Sequence, residues 1–190
     1  MDAVFETFKV RAEAVNAEVH RFPQKDEALA FIVKFLNDAG VRDAPEAYAV
    51  WAACPFLDGF DRRQISTQVP GLTFDVNREV SAQAKVGISQ LDWAIANTGT
   101  LMQDAAPVDR RLVSTLPLIH IALVRSDRIV PDLPAALTKI RPTHTNYISF
   151  ITGPSRTADI ERVLTIGVHG PEKLVIVFYD SSADVPESVH

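Results

Sequence analysis

The chain has 190 residues, 47% of them hydrophobic and 23% charged, with a formal net charge of -5 and a pI near 5.5. That is the mix of a globular domain with a sizeable core, and its acidic balance argues against nucleic acid or an anionic membrane surface as the main partner. No run of about 18 apolar residues exists, so no membrane span is expected. The start MDAVFETFKV has no apolar segment of signal-peptide type, and a cytoplasmic protein is the expectation.

Cys54 is the only cysteine. A lone cysteine allows no internal disulfide and no cysteine-ligated iron–sulfur cluster or zinc site within one subunit. It closes the apolar run of residues 47–54 and is expected to be a buried, inert thiol. No histidine or carboxylate spacing of ligand type appears, so the chain is expected to hold no metal and no tightly bound redox cofactor.

In chain order, residues 1 to about 20 are expected to be helical, with Val4, Phe8, Val15 and Val19 on one face. Residues 25–39 carry a clearer stripe, Leu29, Ile32, Phe35, Leu36 and Ala39, stopped by Gly40. Residues 1–45 therefore read as a helical N-terminal arm that packs on the sheet or on a second subunit. Residues 47–54 are an expected strand. Residues 55–79 are broken by Pro55, Gly59, Pro70 and Gly71 and carry charges at Asp58, Asp61, Arg62 and Arg63. They read as a long surface excursion with one short strand near 72–76.

The later chain has a stronger rhythm. Strands are expected at 85–88, 100–103, 118–124, 147–152 and 174–179, with a turn at 92–96 and helices at 109–116, 131–140 and 157–166. Residues 181–190 read as a polar tail. Strands alternating with ten-residue helices indicate an α/β fold, a mainly parallel sheet flanked by helices. Strands 118–124, 147–152 and 174–179 are expected to lie parallel in one sheet, joined by right-handed crossovers. The last is an unbroken apolar run, as expected for a strand covered on both faces.

Three constellations carry chemistry. The first is Gly153-Pro154-Ser155-Arg156-Thr157-Ala158-Asp159, placed at a strand's carboxyl end and a helix's amino end. Backbone N–H groups from Ser155 onward can hold a phosphate or carboxylate, and the Arg156 fork can add a charge-assisted contact. The alternative is a simple helix cap by Ser155 or Thr157. The second is Ala96-Asn97-Thr98-Gly99-Thr100, where a glycine between threonines allows close approach of a ligand or makes a capped turn. The third is histidine. His169, in Gly-Val-His-Gly-Pro, is a candidate general acid or base. His120, inside an apolar strand, reads mainly as a structural residue. Neither a dinucleotide fingerprint, a phosphate-binding lysine loop nor a hydrolase or zinc-protease motif is present.

The segments Ala94-Ile-Ala-Asn-Thr-Gly-Thr-Leu101, Leu116-Pro-Leu-Ile-His-Ile121, Gly153-Pro-Ser-Arg-Thr-Ala-Asp-Ile-Glu161 and Gly167-Val-His-Gly-Pro171 resemble the LUD-domain family, in its lactate-utilisation protein C branch (LutC, YkgG). The resemblance runs from about Lys85 to Tyr179. It implies one LUD-type α/β domain over residues 1–190, similar to the NagB/RpiA/CoA-transferase-like superfamily. It further implies a cluster-free component of an L-lactate-to-pyruvate oxidation system, whose partners are cysteine-rich proteins carrying the iron–sulfur clusters. The lone Cys54 is consistent with that part. The family usually has Ala-Glu-Thr-Gly where this chain has Ala96-Asn97-Thr98-Gly99. Asparagine hydrogen-bonds but cannot serve as a base or nucleophile at neutral pH. The competing readings are a stand-alone enzyme acting on a phosphosugar or acyl-CoA, and a non-catalytic scaffold. In the leading one, Thr98, Gly99, Thr100, Gly153, Ser155, Arg156 and Thr157 converge on a polar cleft for a small carboxylate or phosphate. His169 joins them on the strength of the resemblance, since simple crossover geometry would put it at the opposite edge of the sheet.

Overall fold

The apolar run at the end of the chain is a strand, Lys173–Tyr179, buried on both faces. Val175, Val177 and Tyr179 point to one core, and Leu174, Ile176 and Phe178 to the other. That period-two split explains why the run has no polar alternation. The computed structural model describes residues 2–140, 147–154 and 170–180.

The helices are α1 (Asp2–Ala14), α2 (Lys25–Asp38), α3 (Arg62–Gln68), α4 (Arg78–Ala82), α5 (Val108–Thr115) and α6 (Leu133–Leu137), with a 3-10 turn at Pro55–Leu57. The strands are β1 (Ala17–Phe22), β2 (Tyr48–Trp51), β3 (Leu72–Thr73), β4 (Ala84–Gln90), β5 (Trp93–Ile95), β6 (Thr100–Asp104), β7 (Ile119–Arg125), β8 (Ile129–Val130), β9 (Ile148–Ile151) and β10 (Lys173–Tyr179). Among the described residues they form two sheets. The larger has order β1-β10-β7-β4-β2-β3 and is parallel throughout. The smaller has order β8-β5-β6-β9, with β6 antiparallel to both neighbours.

One face of the large sheet is covered by α2. Its Ala28, Ile32 and Leu36 recur every four residues, so they form one buried stripe against Ile121, Leu123, Val175 and Val177. Burial of Ile32 and of Leu36 stabilises by roughly 1.5–3 kcal/mol each. Gly40 takes φ +75°, which lets Val41 N–H reach Leu36 O and Gly40 N–H reach Asn37 O, closing the helix end. The other face is covered by α1, through Phe5, Phe8 and Ala12, and by the small sheet through Ala94 and Leu101. Phe5 and Phe8 both meet the Phe178 ring edge-on, at 5.3 and 5.2 Å between centroids.

Several expectations are corrected. The N-terminal arm is not wholly helical: α1 stops at Ala14, Asn16 turns the chain at φ +68°, and residues 17–22 become the edge strand β1, parallel to β10. Residues 55–79 are no surface excursion. They hold α3 and β3, and Phe56, Leu57, Ile65, Val69 and Leu72 are buried in the α2-side core. The turn at 92–96 is strand β5. Strand 147–152 does not join the parallel sheet: β9 pairs antiparallel with β6 in the small sheet, so only β7 and β10 of the expected trio are parallel neighbours. The chain leaves β7, crosses β8, α6 and β9, and only then returns to β10. The expected helix 157–166 and tail 181–190 lie outside the described residues.

Candidate functional site

The β6/β9 ladder builds one wall of the site. Leu101 pairs with Ile151, so Thr100 and Thr152 fall opposite each other one step further on. Their hydroxyls are hydrogen-bonded at 2.8 Å. Thr100 is buried, whereas Thr98 and Asn97 are exposed in the turn before it, with Gly99 N–H closing onto Ile95 O at 3.0 Å.

Gly99 and Gly153 serve packing against α1. Both have positive φ, +66° and +68°. A side chain at Gly99 would fall on the Ala12 backbone, and one at Gly153 would lie 2.5 Å from Val15 O. Close approach to a neighbouring backbone therefore accounts for these two glycines without a ligand.

Thr152, Gly153 and Pro154 open onto a cleft of about 480 Å³. Its other walls are Val15, Ser114, Thr115, Phe150, Ile151, Gly170 and Pro171. Val15 precedes β1, Ser114 and Thr115 precede β7, and Gly170 and Pro171 precede β10. The cleft thus lies at the amino edge of the parallel sheet, whereas loop 153–157 was expected at the carboxyl end of one of its strands. The antiparallel course of β9 is the reason. Pro154 and Gly170, which flank residues 155–169 in sequence, both line this cleft. Ser155, Arg156, Thr157 and His169, like His144 and His190, lie outside the described residues. Of the predicted site residues, Thr100 and Gly153 are brought together, with Gly99 beside them on α1.

Between β4, β6 and β7 lies a buried polar network. His120, Ser89 and Gln103 are fully buried. His120 Nε2 lies 2.9 Å from Ser89 Oγ. Gln103 Nε2 donates to Ser89 Oγ at 3.2 Å and to the Gln90 carbonyl at 3.3 Å. A carbonyl only accepts, so the second bond fixes which way the Gln103 amide points. Ser89 Oγ and His120 Nε2 share one hydrogen bond, in which either can be the donor. Burial lowers the His120 pKa to about 4, so the ring is neutral at pH 7. Ser89 and Gln103 stand next to other polar residues at the ends of β4 and β6; the signal available was their inward phase in the strand alternation.

The carboxyl edge holds a smaller recess of about 290 Å³, lined in part by Gln90, Asp92, Trp93, Arg125 and Arg128. Burial pushes the Asp92 carboxyl up, against the Asp104 N–H and Arg110, which favour its charge. Arg125 is paired with Asp127 at 2.6 Å, and Arg128 stacks over Trp93 at 4.8 Å. Cys54 is buried, and burial pushes its thiol pKa up. Among the described residues no group of three or more His, Cys, Asp or Glu side chains is placed to hold a metal ion. No helix among them is long and apolar enough to cross a membrane.

The LUD-domain family model matches residues 5–179. The chain belongs to the LUD-domain family. It is 28% identical over 187 residues to a lactate utilization protein C of Exiguobacterium sp. strain AT1b, covering 93% of this chain and 77% of that protein. It is 38% identical over 107 residues to the lactate utilization protein C of Bacillus subtilis strain 168, covering 53% of this chain and 45% of that one. The match to the Anoxybacillus flavithermus protein of the same name spans 46% of its length. The chain thus matches under half the length of two of these three relatives. The fold is that of a DUF162-family protein from Deinococcus radiodurans known from a crystal structure, with a TM-score of 0.66 at 20% identity, covering 94% of this chain and 97% of that one.

Proposed function

We propose that this LUD-family protein takes part in lactate utilisation, as a cluster-free accessory component of an L-lactate-to-pyruvate oxidation system. It binds a small carboxylate in the cleft at the amino edge of the parallel sheet. The observation that carries this is the family match over residues 5–179, together with relatives named lactate utilization protein C. The single cysteine supports a part that leaves the clusters to cysteine-rich partner proteins. In the cleft, the backbone and Arg156 of the segment starting at Ser155 supply the anion contacts. With Asn97 in place of a carboxylate, an acyl-transfer route through that position is disfavoured.

Two measurements test this. Calorimetry with L-lactate, pyruvate, inorganic phosphate and coenzyme A should give heat with the small carboxylates. Co-purification from the source organism should recover a complex with cysteine-rich iron–sulfur proteins. Tight binding of a sugar phosphate or acyl-CoA alone would replace this function with that of a stand-alone enzyme. Binding of partners without any small ligand would leave a scaffold.

A further inference from the structure

The carboxyl edge of the large sheet, opposite the cleft, has a crevice of its own. The neighbouring strands β2 and β4 send the chain to opposite faces of the sheet. After β2 it enters the α2-side core through Phe56 and Leu57. After β4 it crosses to the α1 side, where Leu91 and Ala94 are buried with Phe5 and Phe8. Adjacent parallel strands whose connections part in this way leave an opening between their carboxyl ends, and open α/β sheets bind ligands there. Here the opening is the recess of about 290 Å³. It is bounded by Pro55 after β2, by residues 90–93 where β4 passes into β5, and by Arg125 and Arg128 at the end of β7.

Its donors are held in place by the protein itself. Phe56 N–H donates to Gln90 Oε1 at 2.8 Å. A backbone N–H only donates, so this bond fixes the amide orientation, and the Nε2 N–H groups are what Gln90 brings to the recess. Arg125 donates through Nε and Nη2 to Asp127, at 3.0 and 2.6 Å. The Arg128 guanidinium lies over the Trp93 ring, 4.8 Å from its centroid. Asp92 also borders the recess, but its oxygens are turned to the protein. Oδ2 accepts from Asp104 N–H at 2.6 Å, and Oδ1 faces Arg110 at 3.9 Å. What remains toward the recess is an amide N–H pair and two guanidinium groups, a set that matches the oxygens of an anion. We propose that this recess is a second ligand site, separate from the amino-edge cleft, and takes the carboxylate or phosphate head of a small oxyanion. Side chains already fixed in this way lose little freedom when the anion arrives. The site stands independently of whether the cleft binds a carboxylate.

Trp93 is the reporter, since the other tryptophan, Trp51, is fully buried in the α2-side core. In ¹⁵N-tryptophan-labelled full chain, inorganic phosphate or acetate should move the Trp93 indole signal and leave that of Trp51 in place. Sodium chloride at matched ionic strength should move neither. Whichever anion binds more tightly identifies the head group. Gln90→Glu is the decisive variant: its carboxylate still accepts from Phe56 N–H but replaces the N–H donors with negative charge. Calorimetry should show that anion bound about tenfold or more weakly by the variant. Arg156→Ala, directed at the other cleft, should leave the Trp93 response unchanged. Should thermal melting show that Gln90→Glu does not fold, Arg128→Gln supplies the same comparison. A Trp93 signal that stays in place, or that chloride moves equally, overturns the second site, as does undiminished affinity in the folded variant. Loss of the Trp93 response in Arg156→Ala would return the anion to the amino-edge cleft and overturn it as well.

Discussion

The hydroxyls of Thr100 and Thr152 meet at 2.8 Å across the end of the β6/β9 ladder. This bond ties the turn after β5 to the residue that leads into Gly153, so the two motif segments are held by each other. Thr100 is 8% exposed, and valine there would leave the Thr152 hydroxyl without its partner. Each single Thr→Val change should cost about 1 kcal/mol, and the double variant less than their sum. A double-mutant cycle on urea midpoints should return a coupling of about 0.5–1.5 kcal/mol. A coupling near zero would mean that the pair is held by the ladder alone.

Gly99 and Gly40 separate backbone strain from crowding. Both have positive φ, +66° and +75°, but a Cβ at Gly99 falls on the Ala12 backbone while one at Gly40 meets nothing within 4 Å. Gly40→Ala should therefore lose only about 1–2 kcal/mol, the cost of a left-handed residue. Gly99→Ala should lose about 2–4 kcal/mol, because α1 must also shift. Equal losses, measured by chemical denaturation, would show that α1 yields freely at Ala12.

Local patterns made some of this structure legible. Ile32, Leu36 and Gly40 mark α2 and its stop, and the unbroken run 174–179 marks a strand buried twice over. Long-range choices were not legible. Val15 and Val19 suit a helical stripe, so β1 was hidden until its pairing with β10 showed the alternation of Ala17 and Val19. Nothing local tells β9 which sheet to join; the antiparallel contact with β6 decides it. Pro55, Gly59 and Pro70 read as loop because α3 and its neighbours are too short to show a period, yet Phe56 and Ile65 are core. At the site, residues 98–100 and loop 153–157 were expected to converge; the described residues put Thr100 against Thr152, next to Gly153. The cleft's position at the amino edge was not expected, because it follows from the course of β9.

Cys54 should resist thiol reagents in the native state. It is buried, and burial pushes the thiol pKa above its ordinary value, which suppresses the reactive thiolate. A disulfide reagent should label it at the rate of unfolding, and quickly in denaturant. Fast stoichiometric labelling of folded protein would show that the α2-side core opens locally at Cys54.

Arg156 should matter to ligand and little to fold. Under the proposed function its guanidinium is the group expected to fork onto the carboxylate. Arg156→Ala should weaken L-lactate binding by about 1.5–3 kcal/mol, the range for hydrogen bonds to a charged group. The melting temperature without ligand should hardly change. Undiminished affinity in this variant would leave the segment at 155–159 as a helix start and nothing more.

His120 should make the fold acid-sensitive in a defined window. Burial lowers its pKa from the ordinary 6.5 to about 4. Between those values the unfolded chain binds a proton there that the folded one does not, so stability rises with pH across the window. The contribution is whole above pH 6.5 and is lost as pH falls toward 4. Carboxylates also titrate in this range, so the comparison must be with His120→Gln, which keeps a hydrogen-bonding group and cannot be protonated. The variant should be less stable at pH 7, where it loses the fitted Ser89 contact. Its stability should then fall less steeply toward pH 4, by about one proton in the slope of unfolding free energy against pH. Urea midpoints at pH 4.5, 5.5 and 7 measure that slope. Parallel slopes in the two proteins would mean that His120 reaches solvent often enough to titrate normally.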